Sequence, residues 1–94
     1  MLDGVVGWPP EFAQRYRARG YWAGTTLGQA FDRSVAANAD RVAVVDGPRR
    51  ITYRELSRLV DRLALHLALR DVRGGARVVF QLPNTAELVI AYLA

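Results

Sequence analysis

Few side chains in this sequence have a type and spacing suited to chemistry. Arg54, Arg58 and Arg62 recur every four residues, which puts three guanidinium groups on one helix face, a pattern that can meet phosphate or nucleic acid. Glu55 and Asp61 each stand three residues from Arg58 and dilute the stripe, and no aromatic interleaves with it for base stacking. It therefore reads as a solvated face, as does the pair Arg49-Arg50 beside a turn. His66, between Leu65 and Leu67, has no acid or nucleophile at a spacing that would make it a general base, and reads as a structural or solvent-facing histidine. Ser34, Ser57 and Thr85 lack the surroundings of a nucleophile elbow. Gly74-Gly75 has the residue type of a phosphate loop but precedes a strand signal, and neither the P-loop nor the dinucleotide spacing is present, so it reads as a turn. Trp8, Tyr21 and Trp22 suit an aromatic pocket, although near a terminus they read as packing. No catalytic, cofactor-binding or metal-ligating residue is assigned.

The elements that would carry these residues follow from local signals. Trp8-Pro9-Pro10-Glu11 starts a short amphipathic helix to about Arg19, with Phe12 and Tyr16 on one face and Gly20 as its stop. Tyr21 and Trp22 then read as an anchor tying this arm to a larger body. Thr25 or Thr26 can cap a second helix, in which Leu27, Ala30, Phe31 and Val35 hold helical spacing up to Asn38-Ala39-Asp40. Arg41–Val45 turns β-branched, and Asp46-Gly47-Pro48 is a turn signal before Arg49-Arg50-Ile51, which predicts a hairpin with a short second arm. Thr52 and Glu55 form a capping box that launches the longest helix, about Tyr53 to Arg70. Its buried stripe is Leu56, Leu59, Val60, Leu63 and Leu67, widened by Leu65 and Leu69. Arg77–Leu82 reads as a strand covered on both faces, and Pro83 stops it. Asn84 with Glu87 offers a second capping box for a helix from Ala86 to Leu93 that is apolar almost all round. The sequence stops inside that helix, which predicts a truncated chain. The order of elements predicts a layered α/β domain, with the strand–Pro-Asn–helix unit as the first half of a parallel crossover.

Composition narrows the function classes. With 94 residues and 51% apolar content the chain suits one small domain or part of a larger one, and not a disordered segment. It has no cysteine and one histidine, which excludes a disulfide framework and any thiolate metal site and argues against other metal sites. The formal net charge is +4, and all 13 basic residues are arginine, so no lysine here can serve as a catalytic cation or a Schiff-base nucleophile. Met1-Leu2-Asp3-Gly4 lacks the start of a secretory signal, and no apolar run approaches the ~20 residues that span a bilayer. A cytoplasmic location is expected, with neither membrane nor nucleic acid as partner.

Several of these strings match a known family. Trp8-Pro9-Pro10-Glu11-Phe12-Ala13, Arg15-Tyr16-Arg17 and Gly20-Tyr21-Trp22 resemble the amino-terminal arm of aryl-acid adenylating enzymes, the 2,3-dihydroxybenzoate or salicylate AMP ligases of siderophore pathways. The resemblance continues through Val42–Gly47, Ile51-Thr52-Tyr53-Arg54-Glu55-Leu56 and Val78–Asn84. The Thr-Tyr-x-Glu-Leu element alone is similar to the first core motif of the whole adenylate-forming superfamily; the arm points to its aryl-acid branch. Where the family usually has glycine after the long helix and Gly-Asp before the strand, this chain has Asp71 and Gly75-Ala76, which puts local stability in question.

The resemblance implies an α/β fold in which residues 1–94 are the N-terminal part of the large AMP-binding (adenylation) domain, with residues 1–24 an aromatic-rich arm. It implies a ligase using ATP and Mg2+, which converts an aryl carboxylate to an acyl adenylate and passes it to the phosphopantetheine thiol of an aryl carrier protein. The family's phosphate loop, acidic metal ligand and lysine would all lie beyond Ala94, so the segment alone is expected to be inactive and to need the remainder of the enzyme as its partner. Rival readings are another acyl-CoA or AMP ligase and a free-standing, non-catalytic interaction module.

Overall fold

Helix α1 (Pro10–Ala18) begins where Pro10, at the first helical position, has no N–H to leave unpaired, and Glu11 sits in the turn the helix dipole favours for an acid. The computed structural model describes residues 4–94, so the reading of Met1, Leu2 and Asp3 lies outside the described residues. The helix ends in a Schellman pair of bonds: the N–H groups of Gly20 and Tyr21 donate to the carbonyls of Arg17 and Tyr16. Gly20 has φ +74°, the left-handed turn such an ending requires.

Thr26 is the threonine that starts α2 (Leu27–Asn38), its hydroxyl accepting from the Gln29 N–H while the Gln29 side chain accepts from the Thr26 N–H. Strands β1 (Val42–Asp46) and β2 (Arg49–Thr52) pair antiparallel across Gly47-Pro48, in the register Val45 to Arg50 and Asp46 to Arg49. A register shift between Val42 and Val44 makes Ala43 the extra residue of a bulge. The capping box of Thr52 and Glu55 is formed in both directions and opens α3 (Tyr53–Ala68). The Arg41 and Ala39 carbonyls take the next two N–H groups, of Tyr53 and Arg54, so that launch is fixed by four backbone donors.

The core is small and lies where α3 meets everything else. Ile51, Leu56, Val60 and Ala86 are buried, with Phe31, Val44, Leu59 and Val89 packed around them. Helix α3 packs against α2, both strands and α4 (Ala86–Leu93). Leu59, Leu63 and Leu67 are half-buried beside Leu56 and Val60, as the spacing predicts. Leu65 and Leu69 are corrected: at 62% and 76% exposure they stand outside the buried stripe.

Three further expectations are corrected. Arg77–Leu82 forms no strand, because no ladder partner for it exists among the described residues; Val79 is 95% exposed. Helix α3 stops at Ala68, short of Arg70, through a second Schellman pair: the N–H groups of Asp71 and Val72 donate to Ala68 and Leu67. Asp71 occupies the left-handed position at φ 64°, which glycine adopts without strain. Finally, Asn84 caps nothing. Thr85 holds the N-cap position of α4 and makes no side-chain cap bond.

Candidate functional site

The cap that α4 lacks locally is supplied from the hairpin. Asp46, last residue of β1, accepts the Ala86 N–H at 3.0 Å through Oδ2. Arg49, first residue of β2, donates to the same Asp46 oxygen and, as a fork, to both Glu87 carboxylate oxygens at 2.6 and 2.9 Å. One guanidinium thus ties the hairpin turn to the first turn of α4. The charges respond as this geometry requires. The Ala86 N–H, with the Arg49 guanidinium beside it, holds the Asp46 carboxyl below its usual range. The Arg49 fork, with its own backbone and the Thr85 hydroxyl, holds Glu87 down at about 2, and the two carboxylates raise Arg49. Arg49 and Glu87 remain about half exposed, and Asp46 lines a shallow recess between β1 and α4. The joint can orient a helix; it contains no nucleophile or proton shuttle.

The structure sorts the arginines of the sequence pattern. Arg54 is paired with Asp40 at 2.8 Å and Arg49 is committed as above. Arg58 and Arg62 line an open groove with Arg50, over a floor of Ile51 and Leu59. Glu55, which also lines it, is bound to the Thr52 N–H and hydroxyl; those bonds, with a smaller contribution from Arg58, lower its carboxyl. His66 is exposed on α3 with no hydrogen-bond partner among the described residues. Ser34 spends its hydroxyl on the Ala30 carbonyl one turn back, and Gly74-Gly75 form a turn in which Gly75 has φ +88°. Trp8, Tyr16, Tyr21 and Trp22 pack on one another, edge-on or tilted, with ring centroids 5.3–6.2 Å apart. That supports the packing reading over a ligand pocket, and Tyr16 is the member the sequence pattern left out of the set. Asp46 and Glu87 were also missed as a pair: nothing local signals a contact spanning 40 residues, such as that from Asp46 to Ala86.

Among the described residues no three His, Asp or Glu side chains gather to hold a metal ion. No helix follows the turn at Gly74-Gly75, so it does not fit a triphosphate cradle.

With that geometry in hand, comparison with known proteins is decisive for ancestry. The family described as "AMP-binding enzyme" matches residues 31–94, more than half of the chain. The chain belongs to this family. Its relatives include triostin synthetase I of Streptomyces triostinicus, 49% identical over all of this chain and 18% of that protein. A salicylyl-CoA synthase / salicylate adenylyltransferase from a Streptomyces species is 44% identical over 98% of this chain and 17% of its own length. The 2,3-dihydroxybenzoate-AMP ligase of Bacillus subtilis is 41% identical over 93% and 16%. Among solved structures, apo MbtA of Mycobacterium smegmatis superposes with a TM-score of 0.88 at 43% identity, covering 96% of this chain and 17% of that one. The hairpin, α3 and α4 are therefore part of an AMP-binding fold. The chain spans less than one fifth of the length of these relatives.

Proposed function

We propose that this chain is the amino-terminal scaffold of a ligase that activates an aryl acid with ATP and transfers the acyl group to a carrier-protein thiol in siderophore biosynthesis. One observation carries the reading. The AMP-binding match begins at residue 31, whereas the alignment to the dihydroxybenzoate ligase takes in 87 residues and so continues into the arm. The aryl-acid relatives thus align with residues of the arm that lie outside the family match, which supports the aryl-acid branch.

In this reading residues 1–94 belong to the large adenylation domain and residues 1–24 are its arm. Residues further along the chain supply the Mg2+ ligands, the phosphate contacts and the acyl pocket. ATP provides the adenylyl group that activates the carboxylate, with pyrophosphate leaving; α3 and the hairpin provide a frame. No helix among the described residues is long and apolar enough to cross a membrane. A cytoplasmic enzyme, supplied with ATP and carrier protein there, is the setting we propose.

The test is pyrophosphate exchange into ATP by the complete protein, with 2,3-dihydroxybenzoate, salicylate, benzoate and a medium-chain fatty acid offered in turn. Exchange that depends on a hydroxylated aryl acid supports the proposal, and exchange with the fatty acid alone overturns it. A second reading, transfer to coenzyme A, is favoured by the relative named as a salicylyl-CoA synthase. Thioester formation with free coenzyme A, compared with a phosphopantetheinylated aryl carrier protein, separates the two acceptors.

A further inference from the structure

We propose that the groove between β2 and α3 is a docking face for an acidic amphipathic helix of a protein partner. The groove combines an apolar floor, Ile51 and Leu59, with guanidinium groups from Arg50, Arg58 and Arg62. None of these three arginines takes part in an ion pair among the described residues, whereas Arg49 and Arg54 are both neutralised by carboxylates. Cationic charge is therefore concentrated on the groove side of α3.

The spacing chooses the occupant. Residues four apart on a helix are separated by about 6 Å along its axis. Arg58 and Arg62 thus match two carboxylates four apart on a helix lying alongside, whose apolar stripe would cover Leu59 and Ile51. Nucleic acid fits less well. No aromatic side chain lines the groove for base stacking, and its floor of Ile51 and Leu59 is apolar. The proposal stands apart from the ligase reading, since it uses charge and shape on one face only.

The experiment is fluorescence anisotropy on the intact protein with a labelled synthetic helical peptide that carries glutamates four apart beside a leucine stripe. A second peptide has lysine in place of each glutamate, and a single-stranded oligonucleotide is the third probe. Binding of the acidic peptide is expected to weaken about tenfold or more in R58E/R62E, and the lysine peptide is expected to bind that variant and not the parent. Both positions are exposed and glutamate is a good helix former, so circular dichroism of the variant should match the parent. R58Q/R62Q removes the charge but leaves polar side chains, and should lose the acidic peptide without gaining the lysine one. The proposal is overturned if acidic-peptide binding is absent, if it is unchanged in both variants, if charge reversal does not move binding to the lysine peptide, or if the oligonucleotide binds the parent more tightly.

Discussion

Arg49 and Glu87, 38 residues apart in the chain, meet as a two-pronged fork, with the guanidinium donating to both carboxylate oxygens. Through the shared Asp46 oxygen the same side chain reaches the cap of α4. Hairpin and helix are therefore coupled by charge where they meet at the surface, on top of the apolar contact of Val44 with the Ala86 cluster.

Acid should loosen that coupling. Asp46 and Glu87 both have carboxyls depressed by folding, and such groups add stability above the unfolded value that is lost as pH falls through the folded one. For Glu87 the window runs from its ordinary 4.5 down to about 2. Thermal melts of the intact protein should show Tm falling across that interval, and E87Q should flatten the fall. An unchanged pH profile in E87Q would contradict the coupling.

The pair itself is half exposed, so salt should weaken it. A double-mutant cycle of R49A and E87A is expected to show a favourable coupling in dilute buffer that shrinks at high ionic strength. Asp46→Ala should destabilise more than E87A, because it also removes the acceptor of the Ala86 N–H.

The capping box at the start of α3 is a neutral target. Thr52→Ala removes the acceptor of the Glu55 N–H, and caps of this kind are worth about 1 kcal/mol. Urea unfolding should register that loss with an unchanged denaturant slope. Thr52→Ser should recover most of it.

Asp71 offers a gain. At φ 64° a glycine escapes the left-handed penalty of roughly 1 kcal/mol, so Asp71→Gly should raise stability and Asp71→Ala lower it. The exposed ion pair with Arg73 is too solvated to reverse that order. Equal melting temperatures for the two variants would count against it.

Packing predictions separate the two kinds of leucine on α3. Leu56 is 3% exposed and central to the core, so Leu56→Ala should cost about 2–5 kcal/mol. If truncating the outward-facing Leu65 costs as much in the intact protein, then that side chain is covered there by chain or partner outside the described residues. Hydrogen exchange across α3 in the same variants distinguishes local from global loss.

Much of this fold was legible because its signals are local. The threonine-glutamate box, Gly20, and the Leu56–Val60–Leu67 spacing act over one helical turn or a few, and each produced the element expected of it. Arg77–Leu82 misled for the converse reason: β-branched residues favour extension, but a strand also needs a neighbour, and that is not a local property. The Asn84-Glu87 spacing misled in the same way, since a distant arginine took the Glu87 carboxylate and a distant aspartate accepted the Ala86 N–H.

By itself the sequence determined the starts of α1, α2 and α3, the stop of α1, the hairpin, the lack of lysine and cysteine in these residues, and, through its motifs, the AMP-binding family. Only the tertiary structure decided which arginines are neutralised, which leucines of α3 are inside, and that Asp46, not Asn84, caps α4. The physical reason is one of range: caps and periodicity are energies between residues a few positions apart, whereas a guanidinium fork spanning 38 residues exists only after the chain has closed on itself.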